Sequence, residues 1–306
     1  MGKGGVGKTT ISVLLAMLAS RLGKKVLIVE AGDGDVIGRL FDKASLTETP
    51  IHLTEKIWGA HVNPKAELEA YTRAHINPGF IANRITRSRL FDYLFAATPG
   101  LKEVMSLGRI WRWEKYTGED STPLFDLIIV DSPATGHALS LLRLPMQLIQ
   151  MIRVGPIVSQ IQELQGLLQN RQKTCLALVT LPEELPVNEA IELYSVAEST
   201  LNIPVMITFI NSVWPEAYNP EEQSEITNKW TSLKSRDTEQ SYMPLLNAAI
   251  NHIHRRNLQQ KYMDQIKSEI RSPVVEVPFY FTNDLSLKDI EQISVSISTS
   301  SVDAAG

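Results

Sequence analysis

The chain has 306 residues, 43% of them hydrophobic, enough to bury a real core in one large α/β domain or two small ones. A formal charge of -4, from 30 Lys and Arg against 34 Asp and Glu, gives no overall basic field to gather nucleic acid or anionic lipid. The single Cys175 excludes an intrachain disulfide, a CxxC pair and an intrachain cysteine cluster, and fits a reducing compartment.

In chain order, the first element is Gly2-Lys3-Gly4-Gly5-Val6-Gly7-Lys8-Thr9, followed by a predicted helix from Thr9 to Leu22. Glycines at this spacing let backbone N–H groups turn inward around phosphate oxygens, and the helix behind presents its positive end to the same anion. In that pattern Lys8 neutralises β- and γ-phosphates, and the Thr9 hydroxyl ligates Mg²⁺. Lys3 stands too early in the loop to curl onto its own phosphates, so it is placed to reach a nucleotide held by a facing subunit. The start is glycine-rich rather than a charged then apolar leader, and no apolar run nears the roughly 20 residues of a membrane span. The expectation is a soluble, unsecreted, cytoplasmic protein without stable membrane insertion.

Short apolar runs then alternate with longer helical stretches. Val26 to Glu30, Leu127 to Val130, Cys175 to Thr180, Val205 to Ile210 and Val274 to Val277 read as strands, all but the last nearly continuous apolar runs of the kind buried on both faces. Asn63 to Arg73, Pro186 to Leu201 and Met243 to Ile270 read as helices, the last amphipathic through Leu246, Ile250, Ile253, Ile266 and Ile270. Pro220 to Gln240 is polar and reads as a surface excursion. The fold class this predicts is α/β, a mainly parallel, doubly wound P-loop NTPase sheet flanked by helices. Residues 1–306 form one domain in this reading, with a short apolar helical insertion at 145–171 and a helical excursion at 220–272.

After the strand Leu127 to Val130 comes Asp131-Ser132-Pro133-Ala134-Thr135-Gly136-His137. An acid directly after an apolar strand is where a P-loop fold holds its metal. Gly136 would let the next turn approach a γ-phosphate, and His137 is kept as a switch residue rather than a base.

GKGGVGKTT together with DSPATGHALSLLRLP resembles the arsenical pump-driving ATPases and their relatives that target tail-anchored membrane proteins. HLTEKIWGAHVNPKAELEAYTR, TLPEELPVNEAIELY, ITFINSVWPE and VEVPFYFTNDLSL extend the resemblance over most of the chain. It implies a homodimeric ATPase with ATP and Mg²⁺ as cofactors, in which hydrolysis drives subunit opening to act on a hydrophobic client or membrane-protein partner, with no nucleic acid. It carries Lys3 over as the lysine that crosses to the partner's nucleotide and Asp131 as the metal-side acid beside Thr9. The nucleotide set becomes Gly2, Gly4, Gly5, Val6, Gly7, Lys8, Thr9 and Thr10, with Asn211 at the adenine and Pro278 in the C-terminal loop.

Three departures accompany the resemblance. The family's first switch carries an acid that orients the attacking water; here Glu30 to Asp35 reads EAGDGD, and Asp33 is the best substitute by position, with Asp35 next. Relatives that carry membrane segments have a long Met-rich insertion, whereas 145–171 is short, and its apolar stripe reads as a core or dimer face rather than a client groove. Cys175 alone makes neither a multi-thiol arsenite site nor a paired-cysteine zinc bridge, and His252 and His254, two apart on a helix, point to different faces. Finally, relatives have a buried strand immediately before the loop, and the expectation is that the start is misplaced or the chain trimmed, because without that strand its neighbours present unpaired apolar edges. Two other functions stay open: a nucleotide-gated binding module with little hydrolysis, and a septum-placing or partition-type ATPase. The second is weakened by the tail SVSISTSSVDAAG, which has no basic residue. A nitrogenase-iron-protein type lacks its cluster cysteines, and no Asn-Lys-x-Asp motif favours guanine.

Overall fold

A computed structural model describes residues 1–2, 4–31, 35–43, 45–98, 100–118, 121–132, 156–234, 242–282 and 285–303. Among these, the elements in chain order are α1 (Lys8–Arg21), β1 (Val26–Glu30), α2 (Val36–Leu40), β2 (Ile51–His52), β3 (Ile57–His61), α3 (Pro64–His75), α4 (Gly79–Thr86), α5 (Arg89–Ala97) and α6 (Leu101–Glu114). They continue with β4 (Leu127–Asp131), α7 (Pro156–Gln169), β5 (Leu176–Thr180), α8 (Glu184–Val196), β6 (Val205–Val213), α9 (Pro220–Lys234), α10 (Met243–Glu269), β7 (Val274–Pro278) and α11 (Leu287–Asp303).

The strands form a sheet of order β2-β3-β1-β4 and a sheet of order β5-β6-β7, with every pairing parallel except the β2–β3 hairpin. β1 is buried at all its positions, as a continuous apolar run at the centre of a parallel sheet must be. Its side chains alternate between two cores. Val26 and Ile28 join a cluster that runs under both sheets, through Ile57 of β3, Val179 of β5, Phe209 of β6 and Val277 of β7, closed by α1 and by Ile290 and Ile293 of α11. Leu27 and Val29 face the other side, packing with Ala60, Trp113 and Phe125. On the second sheet Leu178 and Ile210 pack with Val187 and Leu193 of α8 and with Met263 and Ile266 of α10. Helices therefore cover both faces, the doubly wound arrangement expected from the alternation of runs.

The chain's first residue belongs to the second sheet. The Met1 carbonyl accepts from Val179 N–H at 2.7 Å and its amine donates to the Ala177 carbonyl at 2.5 Å. In the first sheet, β4 pairs with β1 along one edge; its Leu127 is 40% exposed and Ile128 to Val130 are half-buried.

Several elements differ from the sequence reading. β3 carries no run of β-branched residues because Gly59 is required: a side chain there would press on Leu46 and Leu53 at under 3 Å. Within the polar stretch at 220–240, Pro220–Lys234 forms a helix, α9, with no buried residue, packed on α10, and 235–240 falls outside the described residues. α11 is read from a serine-rich tail that gives little helical signal, yet Ile290 and Ile293 bury one of its faces. Of the apolar insertion, α7 lies at 156–169 with Ile161 and Leu164 buried, and 145–155 falls outside the described residues. No helix among the described residues is long and apolar enough to cross a membrane.

Candidate functional site

The site grows from the turn that leads from Met1, hydrogen-bonded to β5, into α1. Gly2 lies against β5 so closely that a Cβ would sit 2.0 Å from the Val179 carbonyl oxygen. Gly7 caps α1 with φ 90°, a left-handed conformation that side chains resist, and a Cβ there would lie 2.2 Å from the Asn211 amide nitrogen. Val6, 1% exposed, drops into the shared core between them and anchors the loop, while Gly4 and Gly5 remain exposed at its crest. Gly2 is thus where backbone passes backbone, and Gly7 is where it passes the Asn211 side chain.

Lys8 folds back over the loop, its Nζ donating to the Gly2 carbonyl at 3.1 Å. Burial pushes its ammonium below the usual lysine range, and the negative Asp131 works against that shift. Thr9 donates from Oγ1 to Asp131 Oδ2 at 2.6 Å, and Ser12, one turn further along α1, reaches Oδ1 at 3.4 Å. Asp131 closes β4 and is 8% exposed. Burial raises its carboxyl above the ordinary carboxylate range, against the Thr9 hydrogen bond, the Lys8 charge and the Ser12 hydrogen bond, which lower it. The Met1 amine lies in the same field: burial, reinforced by Lys8, holds it down to about 5.

Asn211, on β6, donates from Nδ2 to the Val6 carbonyl at 3.0 Å. It ties the loop to the second sheet, while Lys8 holds Gly2. Pro278 ends β7, paired with Val213 of β6, and is exposed. Beyond it, Phe279 and Phe281 each lie 5.6 Å from the Trp214 ring. Thr10 is half-buried in the first turn of α1. Lys3, Asp33, Gly136 and His137 fall outside the described residues. Asp35 accepts from Ser45 Oγ at 2.7 Å at the start of α2.

Two participants carry no sequence signal of their own. Ser12 becomes visible only once Thr9 is known to face Asp131, since three residues along a helix return to the same side. Glu30 reads as the last residue of a strand, yet it is 4% exposed and in register with Asp131. Its Oε1 accepts from the Val36 N–H at 2.9 Å, tying α2 to the end of β1 across positions 32–34, while Oε2 has no hydrogen-bond partner among the described residues.

Chemically, the arrangement offers a turn of glycine N–H groups, a partly desolvated ammonium and, beside them, a hydroxyl and a carboxylate. Oxygen donors of that kind suit a hard cation such as Mg²⁺, and a glycine turn at a helix start suits an anion. Because Thr9 spends its proton on Asp131, its oxygen lone pairs are left for a cation.

The model of the anion-transporting ATPase family matches residues 1–155, the segment that holds the loop, Lys8, Thr9 and Asp131. The ATPase BagA of Mycobacterium tuberculosis is 30% identical over 227 residues, which are 72% of this chain and 66% of that protein. ATPase ASNA1 homolog 1 of Paramecium tetraurelia is 33% identical over 145 residues, 47% of this chain and 42% of its own length. The arsenical pump-driving ATPase of Escherichia coli is 28% identical over 190 residues, 60% of this chain and 31% of its own. The chain therefore spans about two thirds of the mycobacterial relative and less than half of the other two. With the family model covering half of its length, the loop and its facing acid included, the chain belongs to the anion-transporting ATPase family.

Proposed function

We propose that the chain binds Mg-ATP and hydrolyses it, as a single-domain cytoplasmic ATPase that works as a homodimer and uses opening and closing to act on a client or partner. The observation that carries this reading is the Thr9–Asp131 contact at 2.6 Å, at the mouth of a loop too tight for side chains at Gly2 and Gly7. ATP would supply the transferable phosphoryl group, and Mg²⁺ the charge neutralisation at its oxygens. Thr9 and Asp131 would hold the cation. Lys8 would exchange its bond to the Gly2 carbonyl for phosphate oxygens, and Asp33 would orient the attacking water.

Asn211 has two readings that an experiment separates. Its bond to Val6 makes it a brace of the loop, whereas the family resemblance makes it an adenine contact. Asn211→Ala is expected to weaken ATP and inorganic tripolyphosphate by the same factor, about 5- to 10-fold from one lost hydrogen bond. Calorimetric titration with both ligands checks this. Loss confined to ATP would return the residue to the base.

Lys3 is proposed to cross to the partner's nucleotide. Lys3→Ala should keep ATP affinity within about 3-fold, yet lose nucleotide-induced dimerisation and at least ~10²-fold in turnover, since the missing charge acts on the transition state. Light scattering with and without ATP, paired with phosphate release, decides it; a parent that stays monomeric in every nucleotide state removes the dimer from the proposal.

A second reading is favoured by one observation. Both described carboxylates at the strand ends are engaged, Asp131 by Thr9 and Ser12 and Glu30 by the start of α2. If Asp33 does not position water, the chain is a nucleotide-gated binding module. ATP binding without detectable phosphate release would identify it.

A further inference from the structure

The overall charge of -4 conceals a local excess of the opposite sign. Positions 70–91 contain Arg73, Arg84, Arg87 and Arg89 and no Asp or Glu. They run from the last turns of α3 through α4 into α5. Arg73 is engaged by Glu69 at 2.8 Å and by Asn83. Asp92, the next acid downstream, is held by Lys65 at 2.7 Å. Arg84, Arg87 and Arg89 are exposed and have no ion pair among the described residues.

Large apolar side chains stand between these arginines and face solvent: Phe80 is 71% exposed, Leu90 65% and Tyr93 70%, with Ile81 and Ile85 beside them. The helices explain the placement. On α4 the buried positions are Ala82 and Thr86, one turn apart, so Phe80, Arg84 and Arg87, spaced four and three, occupy the outer side. On α5, Phe91 is buried, and Leu90 and Tyr93 lie one turn apart on the outside, with Arg89 four residues before Tyr93.

We propose that α4 and α5 form a peripheral docking face for an anionic phospholipid surface, with Phe80, Leu90 and Tyr93 entering the headgroup boundary and Arg84, Arg87 and Arg89 pairing with headgroup phosphates. Interleaved aromatic, aliphatic and basic side chains on short helices are the composition that lies in such an interface rather than spanning it. Other occupants fit less well. A second copy of this face would set the three unpaired arginines against their own kind. A neutral bilayer would take the apolar tips and leave the guanidinium groups without counter-ions.

Sedimentation of the full chain with vesicles tests this, using phosphatidylcholine alone and phosphatidylcholine with about a third phosphatidylglycerol, at low salt and again at about 0.5 M, where surface attraction is screened. Binding is expected only to the anionic vesicles, and to fall at high salt. Arg84→Gln/Arg87→Gln/Arg89→Gln should weaken it roughly 10²-fold, given the attraction of each basic residue to such a surface. Phe80→Ser/Leu90→Ser/Tyr93→Ser should weaken it by at least as much. Both variants should keep the parent's ATP affinity and melting temperature, because these side chains touch neither the loop nor the core. Equal binding to both vesicle types, absence of binding by the parent, or a parent dimer that the serine variant dissociates would each overturn the proposal.

Discussion

Lys8→Ala is expected to lower ATP affinity by at least ~10²-fold while the protein stays folded. A charge-assisted hydrogen bond contributes about 1.5–3 kcal/mol, and a lysine shared by two phosphates makes more than one of them. The ammonium is bonded to the Gly2 carbonyl, a contact the loop can replace with water, and no apolar cluster depends on it. It is also held below its ordinary range by burial, and an anion beside it would relieve that shift. The melting temperature without nucleotide should therefore change little, and the increase on adding ATP should disappear. Titration calorimetry and a thermal scan measure both. Unchanged ATP affinity in this variant would remove the nucleotide site from the reading altogether.

Asp131→Asn is expected to act in opposite directions on binding and on stability. Burial raises the Asp131 carboxyl in the folded state above its unfolded value. As pH falls through that window the native state takes up its proton first, so stability rises; above the window the buried ionised carboxylate costs the native state stability. Asparagine cannot ionise, and its carbonyl can still accept from Thr9. The nucleotide-free variant should thus melt higher than the parent at neutral pH, and the difference should shrink as pH approaches the ordinary carboxylate range. With magnesium, ATP affinity should drop by roughly 10²-fold, since a metal-side acid is gone. In EDTA the variant should bind ATP at least as well as the parent, because a negative charge near the phosphates has been removed. Asp33→Asn is the contrast: ATP binding near that of the parent, and turnover lowered at least ~10²-fold if this acid orients water. Single-turnover hydrolysis alongside equilibrium titration separates the two variants. A parent-like rate for Asp33→Asn moves the first-switch role to Asp35 or to another acid.

What was legible in the sequence follows from how local each signal is. The loop and its helix are contiguous, and Asp131 follows a run of apolar residues that signals a strand, so both can be read by eye, although β4 is only half-buried at Ile128 to Val130 and exposed at Leu127. β3 was hidden because its centre must be Gly59, which has no side chain to press on Leu46 and Leu53 and no strand propensity to announce itself. α11 was hidden because serines dilute the apolar face that buries Ile290 and Ile293. The brace from Asn211 to Val6 joins residues 205 positions apart, and only the parallel order of β5 and β6 brings them together. Glu30 looked like the end of a strand; its second role exists because α2 begins where its carboxylate can meet free N–H groups.

The union of α1 with α11 carries a consequence for how the ends of the chain behave. α1 begins at the loop and finishes at Arg21, which donates to Ser294 at 2.7 Å and meets Glu291 at 3.3 Å on α11. The two helices also share the core beneath both sheets. Local opening of the C-terminal helix therefore strips one side of the rod that bears the loop, and a ligand that requires the loop intact disfavours that opening by mass action. Linkage makes the effect reciprocal: fraying near residues 287–303 weakens ligand affinity by the same factor that the ligand suppresses fraying. Amide-exchange protection and protease resistance of the last helix become a readout of occupancy at the first loop, at the opposite end of the sequence.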